Sequence, residues 1–175
     1  FCGAAASNTG IQLLMDAIIE YLPAPNAKPT VKAKKPGSDE IVELKTSSDE
    51  DLSVFVFKTI ADPFVGKISM FRVYSGTLKS DSVVYNSNSG KTEKITQLFI
   101  LRGKKQIPVN ALIAGDIGAA AKLQVTNTND TLCSQAKPVV LEKIEFPEPA
   151  LSLAVEPKAK GDEEKINAGL QRLQE

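Results

Sequence analysis

The chain has 175 residues, 42% of them apolar and 24% charged, with 21 basic against 21 acidic side chains and therefore no net charge. That balance excludes a basic nucleic-acid arm or an acidic tail as the whole of the protein, and no apolar run nears the roughly 18 residues a membrane-spanning helix needs. There is no His and no Trp, which removes any Ser-His-Asp triad, His general base or His metal ligand. The two cysteines, Cys2 and Cys133, stand far apart and outside any CxxC pattern. They read as reduced thiols of a cytoplasmic protein rather than as a zinc knuckle or a redox pair.

Phe1-Cys2-Gly3 opens the chain without Met, and Gln174-Glu175 stops inside a helical pattern. Both ends read as cuts, so a piece of a longer protein is expected. Gly3 and Gly10 frame the small-residue turn Ala4-Ala5-Ala6-Ser7, of the kind that joins a strand to a helix. Ile11, Leu14, Met15, Ile18 and Leu22 recur at helical spacing and predict an amphipathic helix over 10–22. Thr9 and Gln12 have the spacing of a capping box, and Pro23 and Pro25 end the helix. Beyond residue 25 the composition turns to Pro, Lys, Gly, Ser and acids, and 26–51 read as a linker with one short strand at most, at Ile41-Val42.

Residues 52–145 read as a β-domain. Runs rich in Val, Ile and aromatic residues fall at Ser53–Ile60, Lys67–Ser75, Ser82–Asn86, Glu93–Arg102, Ile117–Val125 and Val139–Lys143. Gly66, Gly76, Ser89-Gly90 and Gly115-Asp116 punctuate them as turns, with a hairpin at Ser89-Gly90. Six short strands in this length predict a mainly β protein built on a closed six-stranded barrel, since closure removes exposed edges. After Pro147 and Pro149, Leu151, Leu153 and Val155 alternate with Ser152, Ala154 and Glu156, which predicts a half-buried strand. Asp162 then caps a helix carrying Ile166, Leu170 and Leu173, so 150–175 read as a partial β-α unit.

Little here carries catalysis. There is no G-x-x-x-x-G-K-[ST] loop and no strand–GxGxxG–helix, and the paired acids Asp162-Glu163-Glu164 suit the first turn of a helix. Between 52 and 149 there are 12 basic side chains against 8 acidic ones. A mildly basic barrel can contact RNA phosphates, and the same charges also suit an ordinary soluble surface. Arg102, Lys104 and Lys105 fall at a loop tip. Arg72 lies inside the strand Phe71-Arg72-Val73-Tyr74, where it either pairs with a carboxylate or reaches a phosphate.

Several of these strings resemble the bacterial elongation factor G family, the ribosomal translocases. Ala61-Asp62-Pro63-Phe64-Val65-Gly66-Lys67 and Phe71-Arg72-Val73-Tyr74-Ser75-Gly76-Thr77-Leu78 look like the start of that family's second domain. Ala114-Gly115-Asp116-Ile117-Gly118-Ala119 and Asp130-Thr131-Leu132 follow in the expected order. Pro147-Glu148-Pro149 and Val155-Glu156-Pro157-Lys158 resemble the opening of the third domain, and Phe1–Pro23 the end of the G domain.

The resemblance implies a plan: 1–25 as the end of the GTPase domain, 52–145 as the translation-factor barrel, and 150–175 as the start of a ferredoxin-like domain. It implies docking on small-subunit ribosomal RNA, and among the basic residues of the barrel Lys67, Arg72, Lys79, Lys91 and Lys94 are taken as the candidate contacts. It also implies coupling of the G domain to later domains during GTP-dependent translocation. Its partners would be the ribosome and its own neighbouring domains, with no membrane and no DNA. GTP and Mg²⁺ belong to the parent protein; this segment would hold neither and would not hydrolyse GTP. Ala4 and Ala5 stand where the guanine-contacting loop usually reads Ser-Ala, leaving the Ala5 amide but no serine hydroxyl. Lys122 stands where many members have Gly. A recycling or ribosomal-protection paralogue, a protein-binding barrel and an independent barrel enzyme remain as alternatives.

Overall fold

The computed structural model describes all residues except 63, 64, 104, 160 and 175, and the side chains of 171, 172 and 174 are likewise outside the description. The Pro63-Phe64 step and the Lys104 tip residue of the sequence reading therefore lie outside the described residues.

Ala4 forms an isolated antiparallel bridge with Thr9, and a single 3-10 turn spans Ala5–Ser7. Helix α1 runs Ile11–Tyr21. Its N-cap is Gly10 in the left-handed region (φ 76°), with no side-chain cap, while the Thr9 and Ser7 hydroxyls bond each other at 3.0 Å. The expected capping box is thus absent, because Gly10 occupies the position that a capping Thr9 would need. Leu22 leaves the helix extended and Pro23 follows, as the sequence predicts.

The segment expected to be a linker contains two strands, β1 (Thr30–Lys34) and β2 (Ile41–Lys45), paired from Thr30↔Lys45 to Lys34↔Ile41. The hairpin has little core of its own. It packs Ala33, Val31 and Leu44 onto Phe55, Phe57, Tyr74 and Leu141 of the β-domain. At its tip Lys34 pairs with Asp39 at 2.8 Å. The hydrogen bond and charge of each hold Lys34 above the ordinary lysine range and Asp39 below the ordinary carboxylate range.

The β-domain follows with β3 (Ser53–Asp62), β4 (Gly66–Ser75), β5 (Thr77–Lys79), β6 (Ser82–Asn86) and β7 (Lys91–Ile95). Then come β8 (Leu98–Arg102), β9 (Lys105–Val109), β10 (Ala111–Ile113), β11 (Ile117–Ala121), β12 (Thr131–Cys133) and β13 (Val140–Leu141). All ladders are antiparallel. The largest sheet has the order β7-β6-β12-β3-β4-β11-β8-β9, while β5 and β10 form a separate ribbon and β13-β1-β2 a third sheet.

The strand periodicity explains the packing. Val54 and Val56 of β3 face the main core with Phe71, Val73, Leu78, Ile95, Leu98 and Leu132, and Phe55 and Phe57 face the hairpin layer. β3 is apolar on both faces because it is covered on both. Burying a side chain such as Phe71 or Leu132 contributes roughly 1.5–3 kcal/mol.

No ladder joins β7 to β9 among the described residues, so the largest sheet is curled and open rather than closed. The expected strand at 93–102 is two strands, broken at Thr96-Gln97. The loop after β11 hydrogen-bonds to the edge strand β7. Buried Glu93 on β7 accepts a hydrogen bond from Val125 N–H at 2.8 Å and further bonds from Gln124 N–H and the Thr126 hydroxyl. On the same loop the Lys122 N–H donates to Lys67 C=O and the Asn129 N–H to Val56 C=O, each at 2.8 Å.

At the other end, Leu151, Leu153 and Val155 form no strand and stay exposed. Alternation alone does not make a strand where no neighbouring strand offers a ladder. Helix α2 (Glu163–Gln174) follows, with Glu163 and Glu164 in its first turn.

Candidate nucleic-acid interface

The cations singled out by sequence fall on three strands. Lys67 and Arg72 are on β4, Lys79 ends β5, and Lys91 and Lys94 are on β7. Strands β6, β12 and β3 lie between β7 and β4 in the ladder, so these groups do not share one strand pair. Lys67 and Arg72 also project to opposite faces, since they are an odd number of residues apart along one strand.

Their environments differ. Lys67 donates to the Asn127 side-chain oxygen at 2.7 Å. Lys94 lies 3.6 Å from Asp81, an exposed pair that contributes little. Lys79 and Lys91 are exposed. Arg102 and Lys105 face each other across the β8–β9 turn, which is the loop tip expected from sequence.

Arg72 is the distinctive one. It sits between Phe55 and Ile117 in the register, half-buried, with its guanidinium carbon 5.3 Å from the centre of the Tyr74 ring. That distance is within reach of a cation–π contact. Its Nε is buried without a hydrogen-bond partner, and among the described residues no carboxylate forms an ion pair with it. Of the two alternatives left open for this residue, pairing with a carboxylate is not the one observed.

At the N-terminal loop, Ala4 C=O accepts bonds from Ser7 N–H at 3.2 Å and Thr9 N–H at 3.1 Å, and Ala5 C=O accepts from Asn8 N–H at 3.1 Å. The Ala5 N–H is left over at the start of its turn and exposed. Among the described residues no three His, Cys, Asp or Glu side chains gather where they could hold a metal. No helix among them is long and apolar enough to cross a membrane.

The sequence reading missed the polar clamp around Asn86. Its side-chain N–H donates to Asp130 Oδ2 at 2.9 Å and to the Thr126 hydroxyl at 3.3 Å, while its Oδ1 accepts from Asn88 and Ser89 N–H at 3.0 Å. The one visible signal was the turn string around Ser87-Asn88-Ser89-Gly90; Asp130 and Thr126 lie too far away in sequence to be paired with it.

Two comparisons bear on this geometry. A crystal structure of a Thermus thermophilus protein is similar to the chain, with a TM-score of 0.71 and 24% identity over 95% of the chain. The match spans 22% of that protein's length, and at this identity it speaks to the fold. The family model for elongation factor G domain 2 matches residues 51–135, the stretch from the start of β3 through β12. That segment, which holds the curled sheet and Arg72, is thus similar to elongation factor G domain 2.

Proposed function

We propose that this chain is part of an elongation-factor-G-like translational GTPase, in which the β-domain docks the factor on small-subunit ribosomal RNA. In this reading it relays the nucleotide state of the G domain to later domains during translocation. The match of residues 51–135 to elongation factor G domain 2 carries the reading. The basic excess over 52–149 and the unengaged Arg72 support RNA contact, with Lys67, Lys79, Lys91 and Lys94 as further contacts. The sheet would complete its barrel-like closure against neighbouring domains. GTP and Mg²⁺ are assigned to the parent's G domain, with the Ala4–Ala5 turn as a remnant of the guanine loop, and the protein works in the cytoplasm.

A second contact class has its own support. α1 exposes Leu13, Met15, Ile18 and Ile19, and Leu22 just beyond it is exposed too, an apolar surface suited to the protein's own G domain rather than to RNA.

Filter binding of the chain to small ribosomal subunits at low and high salt tests docking. Binding should weaken steeply with salt, since neutralised phosphates release counterions. Arg72→Ala should weaken binding about tenfold and leave the β spectrum unchanged. Salt-insensitive binding would favour a protein-contact role, and an unfolded Arg72→Ala would make that residue structural.

A further inference from the structure

Arg72 lines a cleft of about 280 Å³ between the sheet and the segment that leaves α1. Pro23, Pro25, Lys28, Tyr74 and Gly115 also line it, and no Asp or Glu does. The cleft is preformed at its floor: a Cβ on Gly115 would lie 2.7 Å from the Pro25 Cβ, so the segment is seated directly on the β10–β11 turn.

Three features coincide here. Arg72 engages no acceptor among the described residues, although Arg carries five N–H donors in a planar fork. Tyr74 places its ring centre 5.3 Å from the guanidinium carbon, on one side of the fork. Lys28 brings a second positive group, and with no acid in the lining nothing neutralises either one. The buried Nε–H is costly to leave without an acceptor, and the rest of the fork stays unspent.

We propose that this cleft is an oxyanion site that takes one phosphate group, held by the Arg72 fork and neutralised with the help of Lys28. The inference rests on the docking reading only in its choice of residue. It names the chemistry that Arg72 recognises and does not require the ribosome. The fork suits two oxygens of one tetrahedral group. The apolar side chains of Pro23, Pro25 and Tyr74 flank the contact and lower the water around it when a phosphate is seated. The phosphate comes either from a small phosphate monoester or from the phosphodiester of a nucleic-acid strand.

The test is an NMR titration of the whole chain with inorganic phosphate at constant ionic strength, with sodium chloride as control. The Gly115 and Tyr74 amides and the Arg72 Nε–H should shift and saturate. Arg72→Leu should abolish saturation. Arg72→Lys, which keeps the charge and loses the fork, should bind roughly tenfold more weakly. Lys28→Ala should bind roughly threefold more weakly.

Adenosine monophosphate and the dinucleotide UpU then separate the sources. Saturation by the monoester alone assigns a small phosphorylated ligand, and saturation by UpU assigns a nucleic-acid backbone. Linear shifts that sodium chloride reproduces, or equal saturation in folded Arg72→Leu, would overturn the site. Loss of phosphate binding with ribosome binding intact would remove this inference alone. The reverse would remove docking alone.

Discussion

The eight-stranded sheet and the three-stranded layer beside it are both antiparallel, yet they are held by different means. The large sheet owns its core: Val54, Val56, Phe71, Val73, Leu98 and Leu132 are all fully enclosed. The small layer, β13-β1-β2, buries Ala33, Val139 and Leu141 and borrows the rest from the back of β3 and β4. A sheet can therefore form from a polar-looking segment when a neighbour supplies the apolar face. The cleft at Arg72 lies along this borrowed junction, since Arg72 and Tyr74 share the outward face of β4 with the hairpin layer.

The contrast is open to test. Phe71→Ala removes a fully buried ring from the main core, and should cost about 3–5 kcal/mol in urea unfolding and loosen the whole β-domain. Glu93→Ala leaves the buried Thr126 hydroxyl and the Gln124 and Val125 N–H groups without their acceptor, and should cost about 2–3 kcal/mol by the same measurement. Leu141→Ala should cost about 2 kcal/mol and act locally. Amide exchange should quicken across 30–45 and stay slow in β3. Equal quickening in both would mean that the two layers unfold as one.

Lys122→Gly is the smallest change and has the opposite sign. Lys122 holds φ 64°, a left-handed conformation that costs a non-glycine residue about 1 kcal/mol, so Gly should raise the melting temperature slightly. A lower melting temperature would show that the lysine side chain contributes more than its backbone strain costs.

Much of the large sheet was legible because its strands carry strong local patterns. Ser82–Asn86 has the same limits in sequence and structure, and β3 and β4 differ from expectation by one or two residues at an end. The hairpin at 30–45 was not legible, because Lys and Thr alternate there with small apolar residues whose partners lie in β3, β4 and β13. β5, β10 and β12 have three residues each, too short to show a period. The strand expected at Leu151–Val155 had the period and lacked a neighbour to pair with.

The site divides in the same way. Arg72 stood out in sequence as a charge inside an apolar strand, and the structure leaves its Nε–H without an acceptor. That Pro25 would seat on Gly115, and so wall the cleft, was hidden by their separation in the chain. The Glu93 clamp was hidden for the same reason, since its partner Val125 lies 32 residues away.

Hydrogen exchange of the chain, free and bound to small ribosomal subunits, tests the docking claim most directly because it reads where contact falls. Protection is expected over Gly66–Lys79 and Lys91–Ile95, the segments that carry the five candidate cations. Protection confined to α1 and the 30–45 hairpin, or no protection at saturating subunits, would contradict docking through the β-domain.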